Sequence, residues 1–181
     1  KLGHPVFEIP IQPPSIPGMR LNAQLTRVAS AKARVILGSP LTAIHAADGR
    51  IQAVDYASAG RPTRVETRAV ILAAGGFESG ALELDSYGAV RETICGLPVM
   101  GASGQLLHAD FWGDEQPLFL AGLAVDDSMR VVDDNGTPVY TNLFAAGGNL
   151  AGATRWREKS GEGIALASAL AAVDAIVEEL K

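Results

Sequence analysis

The residues best placed to do chemistry lie in TNLFAAGGNLAGATRWREKSGEGIALASALAAVDAIVEEL, positions 141–180. Arg155, Arg157 and Lys159 sit in a polar loop, and Ser160-Gly161-Glu162-Gly163 leads into a helical pattern. A helix that starts here leaves its first backbone N–H groups without intrahelical acceptors, and Ser160 is placed to act as N-cap. Such an end attracts an anion or a dipole. Gly161 and Gly163 put no side chain in a ligand's way. A phosphate or a flat, electron-rich ring would suit the place. A helix packed on a sheet, with a Gly-rich entry and no ligand, suits the same residues equally well. Arg155 has the planar fork that fits a phosphate. A solvated loop is the plainer reading for at least one of these cations, and Lys159 and Glu162 are spaced to pair on the first helical turn.

His108 and Asp110 form a second cluster. Proton handling is conceivable, but a surface or capping role fits better because no third partner is visible. His4 and His45 read as structural. Cys95, flanked by Ile94 and Gly96, has no cation beside it in sequence and reads as a buried, structural thiol. As the only cysteine it allows no internal disulfide, which fits the cytosol. Three histidines and one cysteine show no ligand spacing, so no metal is expected.

Several elements must position these groups. Residues 1–18 hold five prolines and read as an extended connector. Met19–Ala31 reads as a helix with Leu21, Leu25 and Val28 on one face. Ala33–Leu37 is a short β-branched run and a strand candidate. Leu41–Ala46, Ile51–Ala57 and Thr63–Thr67 alternate around Asp48-Gly49 and Ala59-Gly60-Arg61-Pro62, which predicts an antiparallel meander with Val54 and Tyr56 against Val65. Ala69–Ala73 is a continuous apolar run that closes in Gly75-Gly76, as a central strand near a ligand would. Residues 80–120 lose both periods and read as a loop-rich insertion. Val125–Val132 and Val139–Tyr140 flank Asp134-Asn135-Gly136 as a second hairpin. Leu143–Ala146 is a buried strand, and a long helical pattern follows, with Ile164, Leu166, Ala167, Leu170, Ala171, Val173, Val177 and Leu180 as its apolar positions. Ala73-Ala74-Gly75-Gly76 and Ala145-Ala146-Gly147-Gly148 echo each other, which predicts two strand ends converging on one pocket.

The 181 residues are 48% hydrophobic with a net charge of −5. That is enough for one domain with a core, and the mild acidity and lack of basic runs argue against a nucleic-acid surface. No run of about 18 apolar residues predicts a membrane span, and KLGHPVFEIP is not patterned as a signal peptide. The chain opens without Met, and its start reads as the middle of a longer protein, as a C-terminal fragment would.

VILAAGGFESG (70–80), NLFAAGGNLAG (142–152) and GEGIALASAL (161–170) resemble the later signatures of the flavoprotein family that includes the fumarate reductase and succinate dehydrogenase flavoprotein subunits. PPSIPGMRLNAQL (13–25), GGFESGALELDSYGAVRETICGLPV (75–99) and the last forty residues resemble, more narrowly, the B subunits of anaerobic glycerol-3-phosphate dehydrogenases. The likeness covers nearly the whole chain. It implies an α/β, three-layer FAD/NAD(P)-binding (Rossmann-like) fold, here partial, with an antiparallel β-meander and a small inserted cap. Residues 1–80 and 121–181 would be parts of the flavin-binding domain, and 81–120 the cap or substrate-side segment.

The resemblance further implies a flavin, FMN or FAD, and oxidation of sn-glycerol 3-phosphate to dihydroxyacetone phosphate with electrons passed to a quinone. Its partners would be a catalytic A-type subunit and an iron–sulfur C-type subunit, with the chain cytoplasmic and peripheral on the inner face of the membrane. Gly75, Gly76, Phe77, Gly147, Gly148, Asn149, Gly161, Glu162, Gly163 and Ile164 would contact the cofactor, with the Gly163 and Ile164 N–H groups as donors to its ring. Asn149, where relatives often carry an acid, would bind a hydroxyl. Thr154, Arg155 and Arg157 would lie at the pocket mouth, with Arg155 and Arg157 toward a substrate phosphate. No catalytic acid or base is assigned. The family's GxGxxG turn is missing, so this stretch alone is expected to bind flavin weakly and to be inactive. Two alternatives stand beside this reading: a non-catalytic electron-relay or scaffold subunit, and a flavin-dependent reductase of another substrate.

Overall fold

The computed structural model describes residues 3, 5, 7, 14–58, 60–110 and 112–181, without the Trp156 side chain. Most of the Pro-rich connector, and His4 with it, lies outside the described residues. The chain divides into two compact units, 1–39 and 40–181.

The first unit holds helix α1, Ile16–Ser30. Pro17 stands in its first turn, where a missing N–H costs nothing. The Ser15 hydroxyl accepts from Gly18 N at 3.1 Å and caps the helix. The helix therefore begins three residues before the expected start. Ala33–Leu37 does not form a strand: Val35, Ile36 and Leu37 are exposed, without a ladder partner among the described residues. β-branched residues favour a strand only where a neighbouring strand gives them something to pack on.

In the second unit, β1 (Leu41–Ala47), β2 (Arg50–Ser58) and β3 (Arg61–Glu66) pair antiparallel in chain order. Asp48 and Gly49 both take positive φ, as a two-residue hairpin turn requires. Val54 lies opposite Val65, but Tyr56 lies opposite Thr63. Across this sheet Arg64 Nε donates to Asp55 Oδ1 at 2.8 Å, and His45 Nε2 lies 2.7 Å from Asp55 Oδ2. Arg64 first, and His45 second, hold the Asp55 carboxyl well below the usual carboxylate range. An unfolded Asp takes up its proton near pH ~3.9, and the folded one only at lower pH. This contribution to stability is therefore present above about pH 4 and is lost as pH falls further. In Asp55→Asn the acid limb of a plot of urea midpoint against pH should be flatter. An identical limb in the variant would remove Asp55 from the account.

Strands β4 (Val70–Leu72) and β7 (Leu143–Ala145) form a parallel pair. Between them the chain makes a hairpin that the sequence pattern did not announce, β5 (Leu82–Leu84) with β6 (Val90–Glu92). Its turn is built by Asp85, whose Oδ1 accepts from Tyr87 N and Ala89 N at 2.9 Å each. Asp126 does the same for Ser128 and Arg130, and Asp133 for Asn135 and Thr137. These turns organise 125–139, which is held by the bridges Val125–Val131 and Val132–Pro138 in place of long strands. Asp110 likewise accepts from Trp112 N at 3.0 Å, while His108 is exposed. The buried Glu92 carboxylate accepts from the N–H groups of Ile94, Cys95 and Leu97 and so fixes the chain after β6. Burial, with that carboxylate nearby, pushes the Cys95 thiol up to about 12.

The core joins the three-stranded sheet to the β4–β7 pair: Ile51, Leu72, Leu97, Leu123, Val131, Leu143 and Ala145 pack together. Leu123 is knitted to 149–151 by its N–H to Asn149 O (2.7 Å) and by Ala151 N to its own carbonyl (2.9 Å). Gly122 makes this approach possible. A Cβ there would lie 2.6 Å from Ala151 N and Leu150 C and 2.7 Å from Asn149 O, all backbone atoms. Gly122→Ala should destabilise the fold by about 1–3 kcal/mol, the usual cost of overpacking. Urea unfolding would read this as a lower midpoint, and an unchanged midpoint would contradict the packing argument.

Helix α3, Gly161–Glu179, covers the end of β7. Its buried residues are Ser168 and Ala172, and Ala165 lies under Gly147. Ser168 Oγ accepts from Gly147 N at 2.9 Å. Of the apolar positions read from the sequence, Leu166, Leu170, Val173, Val177 and Leu180 are exposed. The small residues win because they let the helix come close to the strand end.

Candidate functional site

Strands β4 and β7 run parallel, so their C-terminal ends, and the two Gly-Gly pairs beyond them, emerge side by side. Gly75 and Gly147 are both left-handed, with φ of 81° and 82°, and turn the chain the same way. Gly76 and Gly148 then meet. A Cβ on Gly76 would lie 2.6 Å from Gly148 O and 3.0 Å from an Arg155 guanidinium nitrogen, and one on Gly148 would lie 3.0 Å from the other. Arg155 thus spans both strand ends and donates to Glu78 Oε2 at 3.2 Å.

A cavity of about 540 Å³ opens here, lined by Gly75, Gly76, Glu78, Ser79, Gly148, Arg155, Gly161, Glu162 and Ala165. Two strand ends and the start of α3 therefore share one concave site, the convergence that the repeated AAGG predicts. Among the expected cofactor residues, Gly75, Gly76, Gly148, Gly161 and Glu162 line it. Phe77, Gly147, Asn149, Gly163 and Ile164 do not line it.

The structure differs from several sequence expectations at this site. Asn149 is 1% exposed and donates through Nδ2 to Leu72 O at 2.9 Å, so it ties β7 to β4 and does not present its amide to the cavity. The Ile164 N–H already bonds Ser160 O at 2.9 Å, the first bond of the helix. The N–H groups left without an intrahelical acceptor are those of Gly161, Glu162 and Gly163. Ser160 stands at the cap position, but its hydroxyl donates to Glu158 at 2.9 Å and makes no cap hydrogen bond. Arg155 and Arg157 part company across the four-residue helix α2, Arg155–Glu158. Arg155 lines the Gly-Gly cavity, whereas Arg157 lines a second one with Trp112, Phe119 and Lys159.

The site fits a flavin in two respects. Close backbone approach at Gly76 and Gly148 leaves a floor without side chains. An added Cβ at Gly161 or Gly163 would meet nothing within 4 Å, so the helix start is open to a ligand. Among the described residues no group of three or more His, Cys, Asp or Glu side chains could hold a metal ion, and no helix is long and apolar enough to cross a membrane.

Sequence reasoning missed Asn142, which is wholly buried. Its amide accepts from Ile51 N and donates to Ile51 O, both at 2.8 Å, and donates to Arg68 O at 3.0 Å. It holds the antiparallel sheet against the strand pair that carries the site. A polar residue directly before a wholly apolar strand was the available signal.

The FAD binding domain family model matches residues 1–164. Among curated proteins, the relatives are named as B subunits of anaerobic glycerol-3-phosphate dehydrogenases. That of Halobacterium salinarum, named as probable, is 31% identical, over 99% of this chain and 42% of the relative. Those of Glaesserella parasuis and Yersinia pseudotuberculosis are 25% and 27% identical, over 95% and 99% of this chain and 41% and 42% of theirs. The chain spans about two fifths of the length of these relatives. No solved structure matches it.

Proposed function

This chain belongs to the FAD binding domain family, and from that premise we propose that it forms part of a quinone-linked oxidoreductase that converts sn-glycerol 3-phosphate to dihydroxyacetone phosphate. Of the two flavins that the resemblance admits, the family model names FAD. The observation that carries the reading is the meeting of β4, β7 and the start of α3 around one glycine-floored cavity. It is supported by the relatives' names, which are those of a dehydrogenase component.

When bound, FAD supplies the two-electron oxidant for a secondary alcohol. The residues of this chain contribute binding and electrostatics. Gly75, Gly76 and Gly148 accept close approach of a flat or phosphorylated group. The open N–H groups at Gly161, Glu162 and Gly163, with the helix dipole behind them, favour negative charge at that edge of the cavity. Such a contribution is worth roughly 0.3–1 kcal/mol when exposed and up to about 2 when partly buried. Arg155 is held in place by Glu78 and keeps a positive charge beside both strand ends.

In the same reading the fold is three-layered, residues 81–120 act as a cap, and an A-type subunit and an iron–sulfur C-type subunit complete a complex on the inner face of the membrane. Anaerobic addition of glycerol 3-phosphate to the full-length protein with its partner subunits tests the activity. Bleaching of the flavin absorption is the expected result. A flavin band that persists would move the chain to an electron-relay role or to another substrate, and a protein without flavin would remove the cofactor assignment.

A further inference from the structure

We propose that helix α1 and the run that follows it, residues 16–37, lie along the surface of an anionic lipid bilayer. The oxidoreductase reading above meets a membrane only through partner subunits. Here this chain touches it directly, and neither inference needs the other. Three observations on the first unit carry it. The first is exposure: from Ile16 to Gly38 every residue but Thr26 is exposed, and no residue of α1 is buried. A helix this short draws most of its stability from a surface on which its apolar face packs. The second is pattern: Leu21, Leu25 and Val28, spaced four and three apart, share one face and are each more than half exposed. Val35, Ile36 and Leu37 extend the exposed apolar surface just beyond the helix.

The third is charge. Residues 9–39 carry Arg20, Arg27, Lys32 and Arg34 and no Asp or Glu, although the chain as a whole has a net charge of −5. Among the described residues Arg27, Lys32 and Arg34 form no ion pair. Cations of a single sign around an apolar stripe select the partner. An uncharged apolar groove would leave the cations without a counter-charge, and a bare polyanion would leave Leu21, Leu25 and Val28 in water. An anionic bilayer answers both. The stripe enters the boundary between head groups and acyl chains, and the Arg and Lys heads stay among the lipid phosphates on stems that cover apolar surface. No described helix is long and apolar enough to cross a membrane, so α1 lies on the surface and does not span it.

Flotation of the full-length protein, purified without partner subunits, on two kinds of vesicle tests this. One kind is phosphatidylcholine alone, the other phosphatidylcholine with phosphatidylglycerol. The protein should float with the second, leave the first, and come off the second as salt is raised. Leu25→Gln should weaken this binding by about tenfold or more, and Arg27→Gln by about fivefold. A thiol placed by Val28→Cys, with the other cysteines replaced by serine, should react quickly in solution and slowly on phosphatidylglycerol vesicles. Equal binding to both vesicles, or unchanged binding in Leu25→Gln and Arg27→Gln, would overturn the proposal. A thiol at position 28 already protected in solution would overturn it too, because the face would then be covered by the rest of the polypeptide or by a second copy. Protection that appears with the partner subunits and not with vesicles would make α1 a protein-docking helix and equally overturn it.

Discussion

Asn142→Leu should lower the stability of this protein by about 2–5 kcal/mol, the largest loss expected from any single side chain here. Leucine is close to asparagine in size but neither accepts nor donates. The Ile51 N–H and C=O would lose their partner at a position that is 0% exposed. Each such orphaned group costs about 1–3 kcal/mol. The Arg68 carbonyl keeps the Arg50 guanidinium at 2.6 Å, so its loss is smaller. Denaturant unfolding should show a lower midpoint with an unchanged slope. A loss below about 1 kcal/mol would mean that water replaces the amide, and that the two sheets are joined by packing alone. Because Asn142 immediately precedes β7, the same variant should also bind flavin less well, although Asn142 lies outside the cavity.

Gly76→Ala should strip the protein of flavin with a smaller effect on its fold. The added methyl would meet Gly148 O and Arg155 at the floor of the cavity. Relief requires one strand end to move from the other, which opens the cradle. An overpacking cost of about 1–3 kcal/mol, taken wholly from binding, corresponds to a loss of affinity of roughly fivefold to 150-fold. Flavin content after purification, and retitration of the stripped protein, would read it. Full occupancy in Gly76→Ala would place the cofactor somewhere other than between these strand ends. Gly148→Ala is a useful companion, because its Cβ meets mainly the Arg155 guanidinium. A flexible side chain can yield where a backbone carbonyl cannot, so the loss there should be milder.

The contrast between these two glycines also shows what could be read from the chain alone. Apolar runs that end in paired glycines announce strand ends, and the repeated AAGG announces that there are two of them. That signal is local, and it held. The clasp of Arg155 across Gly76 and Gly148 joins residues far apart in sequence, and no spacing rule reaches it. The same is true of Asn142 and Ile51. Helix α3 failed for a different reason. It is apolar on nearly every side, so periodicity could not choose its inner face, and the positions read as apolar did not include the buried Ser168 and Ala172. The run at 33–37 failed because strand propensity is a statement about neighbours that the sequence does not display. The Asp85, Asp126 and Asp133 turns were legible in principle, since each aspartate accepts from the amides two and four residues on.

The parallel pairing of β4 with β7 also sets the order of events in folding. The antiparallel sheet closes through turns of two residues, whereas Asn149 reaches Leu72 across 77 positions of chain. Every residue of the β5–β6 hairpin and of the turns at Asp126 and Asp133 lies inside that loop. Contacts of long sequence separation pay their entropy before they return any energy, and they slow folding accordingly. The glycine-floored cavity exists only after this closure, so it belongs to the late, slow step. The hairpins can assemble and dissolve many times before there is a place for a ligand to bind.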